Sequence, residues 1–445
     1  MLFRTNDQIY FDDGTSAKVL SLIGGGGQGK VYKVSYNGKT YVVKMYHPRI
    51  CALSNNKKFK KNLKINVERG PVSDRHIWPL KLTKTYDDGS YGYLMNLIPS
   101  DYESFSKFIT KIKMGNAPAN YFFAGAALTA CHIVFEYRKL WRKGLCFQDL
   151  NEGSIFINPK TWDVLICDCD NVAADNTEVF VQGMPGYMAP EVYVGKEKPN
   201  YFSDLHSLGV IIFMLLFGGT HPLYGKEARR LSFDDPKGCA LKTYGTEAIY
   251  VMDKDNTKNR PQSGIDNLFI TVFPFFPSFV RDLFQQMFVD GVKNPRARPS
   301  DKKILEMLGK IMNGMGKCPY CGNSVLLDVD NKKMEEACPW KKCGRTIKTP
   351  LLLENRYTRF FVNEFNALYK WHVESSAPID EKSFEILGKI ELSDDGRYKI
   401  KNMTNTPWTL EFKGQTNQIG PSKSVKILYD KTYKLIICGQ TFIVK

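Results

Sequence analysis

The sequence predicts an α+β chain with a sheet-forming first part and a mainly helical middle, followed by two small modules, and three observations carry that expectation. The first ~100 residues alternate short β-branched runs with Gly and Asn turns. The middle of the chain places apolar residues at helical spacing. After Gly314 the composition changes to two cysteine pairs and then to short strands broken by turns.

Taken in order, Lys18 to Ile23, Lys30 to Ser35 and Thr40 to Met45 read as strands, the last two joined by Asn37-Gly38, a type I′ hairpin signal. They assign residues 1–100 to an antiparallel sheet. Tyr121 to Leu140, Ser203 to Phe217, Ser278 to Phe288 and Asp301 to Ile311 read as helices and make 101–313 mainly helical. Residues 314–350 carry the cysteine pairs, and an amphipathic stretch around Arg356 to Lys370 makes 351–382 a helical connector. The last segment, 383–445, reads as a small all-β domain, sandwich or barrel, with Trp408 and turns at Asp394-Asp395-Gly396, Asn402 to Pro407 and Gly420-Pro421. No internal repeat or low-complexity linker stands out.

At 445 residues and 43% apolar content, the chain is long enough for two or three domains. Met1 to Asp13 has no apolar core of a signal peptide, and the longest apolar run, Val210 to Phe217, is about half a membrane span. The expectation is a cytoplasmic protein without membrane contact. Eleven cysteines are an odd number with four in metal-ligand spacing, which fits a reducing compartment better than a disulfide framework. A net charge of +16 favours acidic partners, nucleic acid among them, although a charge excess is more often a solvated surface.

The run Gly24-Gly25-Gly26-Gly27-Gln28-Gly29-Lys30-Val31 matches G-x-G-x-x-G-x-V. Dinucleotide sites use a similar triplet, but they need a helix after the loop, and here a β-hairpin follows. The loop is therefore expected to fold over a ligand from the hairpin, its glycines letting backbone N–H groups approach phosphate oxygens. Lys44 on the next strand would neutralise the α- and β-phosphates. Val42, two residues earlier on the same face, would join Val31 in covering the base.

Phe147-Gln148-Asp149-Leu150-Asn151-Glu152-Gly153-Ser154 precedes Val164-Leu165-Ile166-Cys167-Asp168-Cys169-Asp170, and together they look like H-R-D-L-x-x-x-N and D-F-G. With Gly186 to Glu191 resembling the A-P-E end of an activation segment, Ser203 to Gly209 opening a buried helix and Arg298 placed to pair with Glu191, the chain resembles the protein kinases over roughly Tyr10 to Met312, about two-thirds of its length. The resemblance implies a bilobal protein-kinase-like fold, ATP with Mg²⁺ or Mn²⁺, and transfer of the γ-phosphoryl group to a Ser or Thr hydroxyl of a protein substrate. Carried onto this sequence, it makes Asp149 the acceptor of the hydroxyl proton and Asp168 the metal carboxylate. It also adds Gly24, Gly26, Gly29, Val31, Val42, Lys44, Met95 and Leu97 to the nucleotide site.

The departures are specific. Gln148 replaces the arginine that would receive a loop phosphate, which argues against switching by activation-loop phosphorylation. Ser154 stands where the second metal-ligating Asn belongs, and Asp170 replaces the glycine of D-F-G. Either Ser154 or Asp170 is a candidate magnesium ligand, and Asp170 alternatively only caps a turn. Glu68 is the only glutamate between Lys44 and the residues joining the lobes, so it is the candidate ion-pair partner of Lys44, behind the solvated run Lys57, Lys58, Lys60, Lys61 and Lys64.

With Trp78-Pro79-Leu80, the D-x-N and D-x-D patterns resemble a bacterial kinase-like group that accompanies von Willebrand-type and phosphatase proteins in tellurium-resistance-like systems. That likeness implies an active enzyme and such partners. A nucleotide-binding scaffold without turnover is the first rival reading, and a nucleic-acid-associated regulator is the second.

Cys318-x2-Cys321 and Cys338-x4-Cys343, sixteen residues apart, form two knuckles, each with a glycine after its second cysteine. Four thiolates give a closed tetrahedral zinc site of structural type, a zinc ribbon. Trp340, Lys341 and Lys342 leave open whether it touches nucleic acid. The tail is similar in outline to small phosphopeptide-binding β domains but shows no ligand motif, and docking of a partner protein is its expected role.

Overall fold

The computed structural model of the chain describes residues 3–117, 121–177, 183–231, 235–331, 336–338, 340, 342–347 and 351–445; Lys341, named above, lies outside them. The chain forms two compact units, Met1–Phe108 with Glu136–Ile211 and Ser232–Ala248, and Ile109–Phe135 with Ile212–Leu231 and Ile249–Lys445. These boundaries cut across the division expected at residue 100.

In the first unit the strands β1 (Gln8–Tyr10), β2 (Ser16–Gly25), β3 (Gly29–Tyr36), β4 (Lys39–Tyr46), β5 (Lys81–Leu82) and β6 (Gly92–Asn96) form an antiparallel sheet in the order β1-β2-β3-β4-β6-β5. The β3–β4 turn is the hairpin read from the sequence, with Asn37 and Gly38 both at positive φ (49° and 73°) and Tyr36 opposite Lys39. Alternation along β4 sends Val43 and Met45 into an apolar cluster with Ile9, Phe11, Tyr32 and Val34, and turns Lys44 and Tyr46 to the other face. Neighbours approach β4 so closely that a Cβ at Gly29 would lie 2.1 Å from the Met45 carbonyl oxygen and one at Gly92 2.0 Å from that of Lys44. Two helices lie between β4 and β5, α1 (Pro48–Cys51) and α2 (Asn56–Arg69), and α2 packs Phe59 and Leu63 against Tyr46, Tyr91 and Tyr93. The hairpin Ile155–Ile157 with Val164–Ile166 carries the segment before Asp168.

The second unit holds an aromatic helical core in which Phe213 packs against Tyr250, Phe269, Phe284 and Phe288. The expected helices are present with shifted ends: Ala126–Trp141 after a π turn, Tyr201–Leu216, Ser278–Gln285 followed by a π turn, and Asp301–Gly314 capped by the Ser300 side chain. No helix among the described residues is long and apolar enough to cross a membrane.

Two short hairpins follow, Met315–Lys317 with Ser324–Leu326 and Glu336–Ala337 with Thr346–Ile347, and then a β-sandwich. Its first sheet runs Arg359–Phe361, Leu352–Glu354, Gln440–Val444, Lys434–Ile437, Trp408–Phe412, Gln415–Ile419, and its second Ala367–Tyr369, Ile386–Leu392, Tyr398–Asn402, Ser424–Lys426. Leu353, Phe360, Leu368, Ile390, Ile400, Trp408, Leu435 and Phe442 fill the space between them. This corrects the helical connector expected over 351–382. Leu353 pairs with Val444, so the strands there are specified by a partner at the far end of the chain, and helix is confined to Trp371–Glu374 and a short turn Glu381–Phe384. The sandwich is seated on helical residues of the same unit: Phe384 packs its ring against His132 and Phe135, and a Cβ at Gly309 would meet Pro378 at 2.6 Å.

Candidate active site

The β2–β3 turn is the glycine loop. Gly26 N–H closes it by donating to the Gly29 carbonyl at 2.9 Å, and the residues just past β4 hold it from below. His47 donates its backbone N–H to Gln28 O (2.8 Å) and the Arg49 guanidinium donates to Gly27 O (3.0 Å). At Gly26 and Gly27 nothing lies within 4 Å of where a Cβ would be, so the loop backbone faces open space.

Below the loop is a cavity of about 490 Å³ whose walls include Gly26, Gly29, Val31, Lys44, Asp149, Asn151, Asp168 and Asn171. Of the residues expected to form the site, Gly26, Gly29, Val31, Lys44, Asp149 and Asp168 thus meet in one place. Gly24, Val42, Met95 and Leu97 lie outside these walls, Val42 being paired with Met95 in the β4–β6 register.

Asp149 is set by its neighbours on both sides. Asn151 donates its side-chain amide to Asp149 Oδ1 (3.2 Å) and to the Asp149 carbonyl (3.0 Å). Upstream, the buried Asp204 carboxylate accepts from Trp141 Nε1 (2.9 Å), Phe147 N (2.9 Å) and Gln148 N (3.3 Å), which fixes the backbone leading into Asp149. Burial pushes the Asp149 carboxyl up to about 7, against the lowering effect of Asn151, and pushes Asp204 up to about 6. Gln148, in the place of an arginine, gives its side-chain amide to the Thr177 carbonyl.

Lys44 ends between two carboxylates, 3.0 Å from Asp168 Oδ1 and 3.0 Å from Asp170 Oδ2. Burial alone would lower its pKa; Asp168 and Asp170 more than reverse that and hold it well above the usual lysine range. Three expectations need correction here. Glu68 is exposed, and the acids beside Lys44 are Asp168 and Asp170. Ser154 is wholly buried, with its hydroxyl donating to Asn151 O (2.8 Å) and accepting from Asn151 N (3.1 Å), so it closes a turn and offers no oxygen to the cavity. Asp170 is wholly buried too, outside the cavity walls, and accepts the Tyr46 hydroxyl on Oδ2, so it does not cap an exposed turn. The oxygen-bearing side chains on the walls are Gln28, Asp149, Asn151, Asp168 and Asn171. Tyr46 carried a sequence signal that went unread, since it lies two residues beyond Lys44 on the same strand face.

The four cysteines converge. Cys318, Cys321, Cys338 and Cys343 place their sulfurs within 4.8 Å of one another, with Cys318–Cys343 at 3.9 Å and Cys321–Cys338 at 3.7 Å. A tetrahedral ion with Zn–S near 2.3 Å requires sulfurs about 3.8 Å apart, so the cradle fits that metal. Gly322 and Gly344, at φ 74° and 56°, close the knuckles by donating to Cys318 O (2.9 Å) and Trp340 O (3.1 Å).

Comparison with known proteins matches residues 17–308 to the protein kinase domain family. A probable serine/threonine-protein kinase of Dictyostelium discoideum is 28% identical over 228 residues, 48% of this chain and 21% of that protein. The probable serine/threonine-protein kinase CCRP1 of Zea mays is 28% identical over 291 residues, 63% of this chain and 42% of that protein, and protein kinase YegI of Escherichia coli is 26% identical over 197 residues, 42% and 29%. The chain therefore spans less than half the length of these relatives. The kinase domain of Mycobacterium tuberculosis PknI aligns in structure with a TM-score of 0.45 at 13% identity, covering 68% of this chain and 97% of that one. With well over half of its residues matched, the chain belongs to the protein kinase domain family.

Proposed function

We propose that the chain is an ATP-dependent serine/threonine protein kinase that transfers the γ-phosphoryl group to a protein hydroxyl. The observation carrying this reading is that the glycine loop, Lys44, Asp149 and Asp168 border one cavity. A bound nucleotide with its magnesium supplies the transferable phosphoryl group and the cation that offsets its charge.

The rest is the work of this chain's side chains. Backbone N–H groups of the Gly26–Gly29 turn and the Lys44 ammonium hold phosphate oxygens, and Asp168, with amide oxygens of Asn151 or Asn171 nearby, offers the cation its carboxylate. Asp149, aimed by Asn151 and by the backbone that Asp204 fixes, accepts the hydroxyl proton of the substrate. Positioning and charge neutralisation provide most of the acceleration, since phosphoryl transfer asks little covalent chemistry of the protein. Cys318, Cys321, Cys338 and Cys343 hold one structural zinc ion in the same proposal.

The test is ATP turnover and self-phosphorylation with Mg²⁺ or Mn²⁺ in the wild type, Asp149→Ala and Lys44→Ala. Turnover in the wild type and its loss in both variants is the expected result. Equal behaviour of the wild type and Asp149→Ala would end the kinase reading.

A further inference from the structure

Lys44 has its acidic partners outside helix α2. The one acid on that helix, Glu68, is exposed. What α2 presents inward is neutral: Asn62 and Asn66 each donate a side-chain amide to the Val172 carbonyl at 2.8 Å, and the Asn66 carbonyl accepts the Trp78 indole N–H at 2.7 Å. The helix is therefore fastened to the backbone beyond Asp170 and makes no ion pair with Lys44.

The charges that meet Lys44 come from the turn instead. Asp168 has left-handed backbone (φ 55°, ψ 35°), a conformation that costs a non-glycine residue about 1 kcal/mol, and it leads into the short 3₁₀ turn Cys169–Asn171. That turn brings both carboxylates to one ammonium. Their surroundings differ. Asp168 borders the cavity and its side chain is 38% exposed, whereas that of Asp170 is 0% exposed and carries the Tyr46 hydroxyl on the same Oδ2 that faces Lys44. A sealed carboxylate is costly unless a cation and a donor compensate it, and Lys44 and Tyr46, two residues apart on one face of β4, are the partners of its Oδ2, while Oδ1 is buried without one among the described residues.

We propose that Asp170, fixed by Tyr46, is a positioning residue: the permanent counter-ion that holds Lys44 in line with the cavity and takes the place of an acid from α2. Asp168 is the shared group, free to turn to a cation in the cavity, while Asp170 stays with Lys44. The phosphate-binding lysine is then paired within β4 and one turn, and α2 braces that arrangement through Phe59 on the Tyr46 ring and through Asn62 and Asn66 on Val172 rather than through an acid of its own. This rests on the kinase reading for its effect on turnover, but the alignment of Lys44 is measured without it.

The experiment follows acetylation of Lys44 by acetic anhydride across pH in the full chain without nucleotide, read by peptide mass spectrometry, together with KM and kcat for ATP. Wild type, Asp170→Asn, Tyr46→Phe and Glu68→Ala are compared. Only the uncharged amine reacts, so loss of its permanent counter-ion speeds labelling. Asp170→Asn is expected to label about tenfold faster at mildly alkaline pH, one unit of pKa, and to raise KM for ATP more than it lowers kcat. Tyr46→Phe shifts both readouts in the same direction but less, and Glu68→Ala matches the wild type. Labelling of Asp170→Asn at the wild-type rate overturns the proposal, as does a Glu68→Ala variant that behaves like Asp170→Asn. If Asp170→Asn does not fold, Tyr46→Phe, which keeps both charges, carries the test, and wild-type values there overturn it. An inactive wild type removes the kinase reading and leaves the labelling comparison standing.

Discussion

The guanidinium of Arg49 donates to the carbonyl oxygen of Gly27 at 3.0 Å, tying the tip of the glycine loop to the residues just past the Lys44 strand. Four glycines in a row leave this loop with a large conformational entropy to lose on closing over a ligand. Arg49 removes part of that loss in advance. Arg49→Ala is expected to raise KM for ATP by about threefold, the scale of one exposed charged hydrogen bond, with little change in kcat. Titration of a fluorescent nucleotide measures the same change without turnover. An unchanged affinity would mean that the loop is ordered by its own Gly26–Gly29 hydrogen bond.

Asp149 predicts the pH profile. Its carboxyl must be ionised to accept a proton, and burial pushes its pKa up to about 7, so kcat/KM is expected to rise with pH along a limb centred near 7. The stability effect has the opposite sign. Between the unfolded value near 4 and about 7 the folded state binds the extra proton, so this group stabilises the fold at low pH and that contribution is lost as pH rises through 7. Asp149→Asn should lower the rate by at least ~10²-fold, abolish the limb and raise the melting temperature relative to the wild type at pH 8. A wild-type profile flat from pH 6 to 8 would show that proton acceptance by Asp149 does not limit the reaction.

The glycine loop, Lys44, Asp149 and Asp168 are legible in the sequence because each is placed by its immediate neighbours, in a hairpin or a turn that the local residues specify. The partner of Lys44 is not. Whether Asp170 points to solvent or inward depends on the left-handed backbone at Asp168 and on a tyrosine 124 residues away, and spacing alone carries neither. Ser154 misleads for a related reason, since a hydroxyl three residues beyond Asn151 is as suited to closing a turn as to meeting a metal. The sandwich begins at Leu352 because Leu353 pairs with Val444, and a three-residue strand shows too little alternation to be separated from an amphipathic helix.

His372 is a buried neutral histidine with both nitrogens in use. Nδ1 accepts the Tyr369 N–H at 2.9 Å, which places the ring proton on Nε2 facing Asn313 Oδ1 at 3.0 Å; Asn313 is itself oriented by donating to Thr358 Oγ1 at 2.9 Å. A second proton would sit on Nδ1 against that N–H, and burial lowers the pKa to about 3. Because the folded value lies below the unfolded one, this stability is complete above about pH 6.5 and is lost as pH falls from 6.5 toward 3, by up to about 1.4 kcal/mol per unit. His76, also lowered to about 3 by burial, acts in the same window, so the difference from His372→Asn isolates one group. That variant should lose about 1–3 kcal/mol at pH 7 and show a shallower decline from pH 6.5 to 5 in denaturant titrations. Equal slopes would mean that His372 is protonated in the fold.

The cysteine cradle makes the most direct prediction about metal. Cys318 and Cys338 belong to an apolar cluster with Val325, Leu327, Val329 and Ile347, and the same cluster takes in Leu352 and Phe361 from the first strands of the sandwich. Ribbon and sandwich therefore share a core. Four thiols are crowded within 4.8 Å of one another, with N–H donors such as the Asn323 amide turned to Cys321 Sγ, and the strands of the hairpins bearing them are only two or three residues long. Such hairpins are not stable alone, so the metal supplies their folding free energy. Purified protein should carry one zinc per chain by elemental analysis. Chelation or Cys318→Ser should remove it, lower the melting temperature by several degrees and speed amide exchange at Leu352–Glu354 and Arg359–Phe361. Cys438→Ser, at an exposed cysteine outside the cluster, should leave zinc content unchanged. If chelated protein exchanges at the wild-type rate in those two strands, the metal is not a structural part of the shared core.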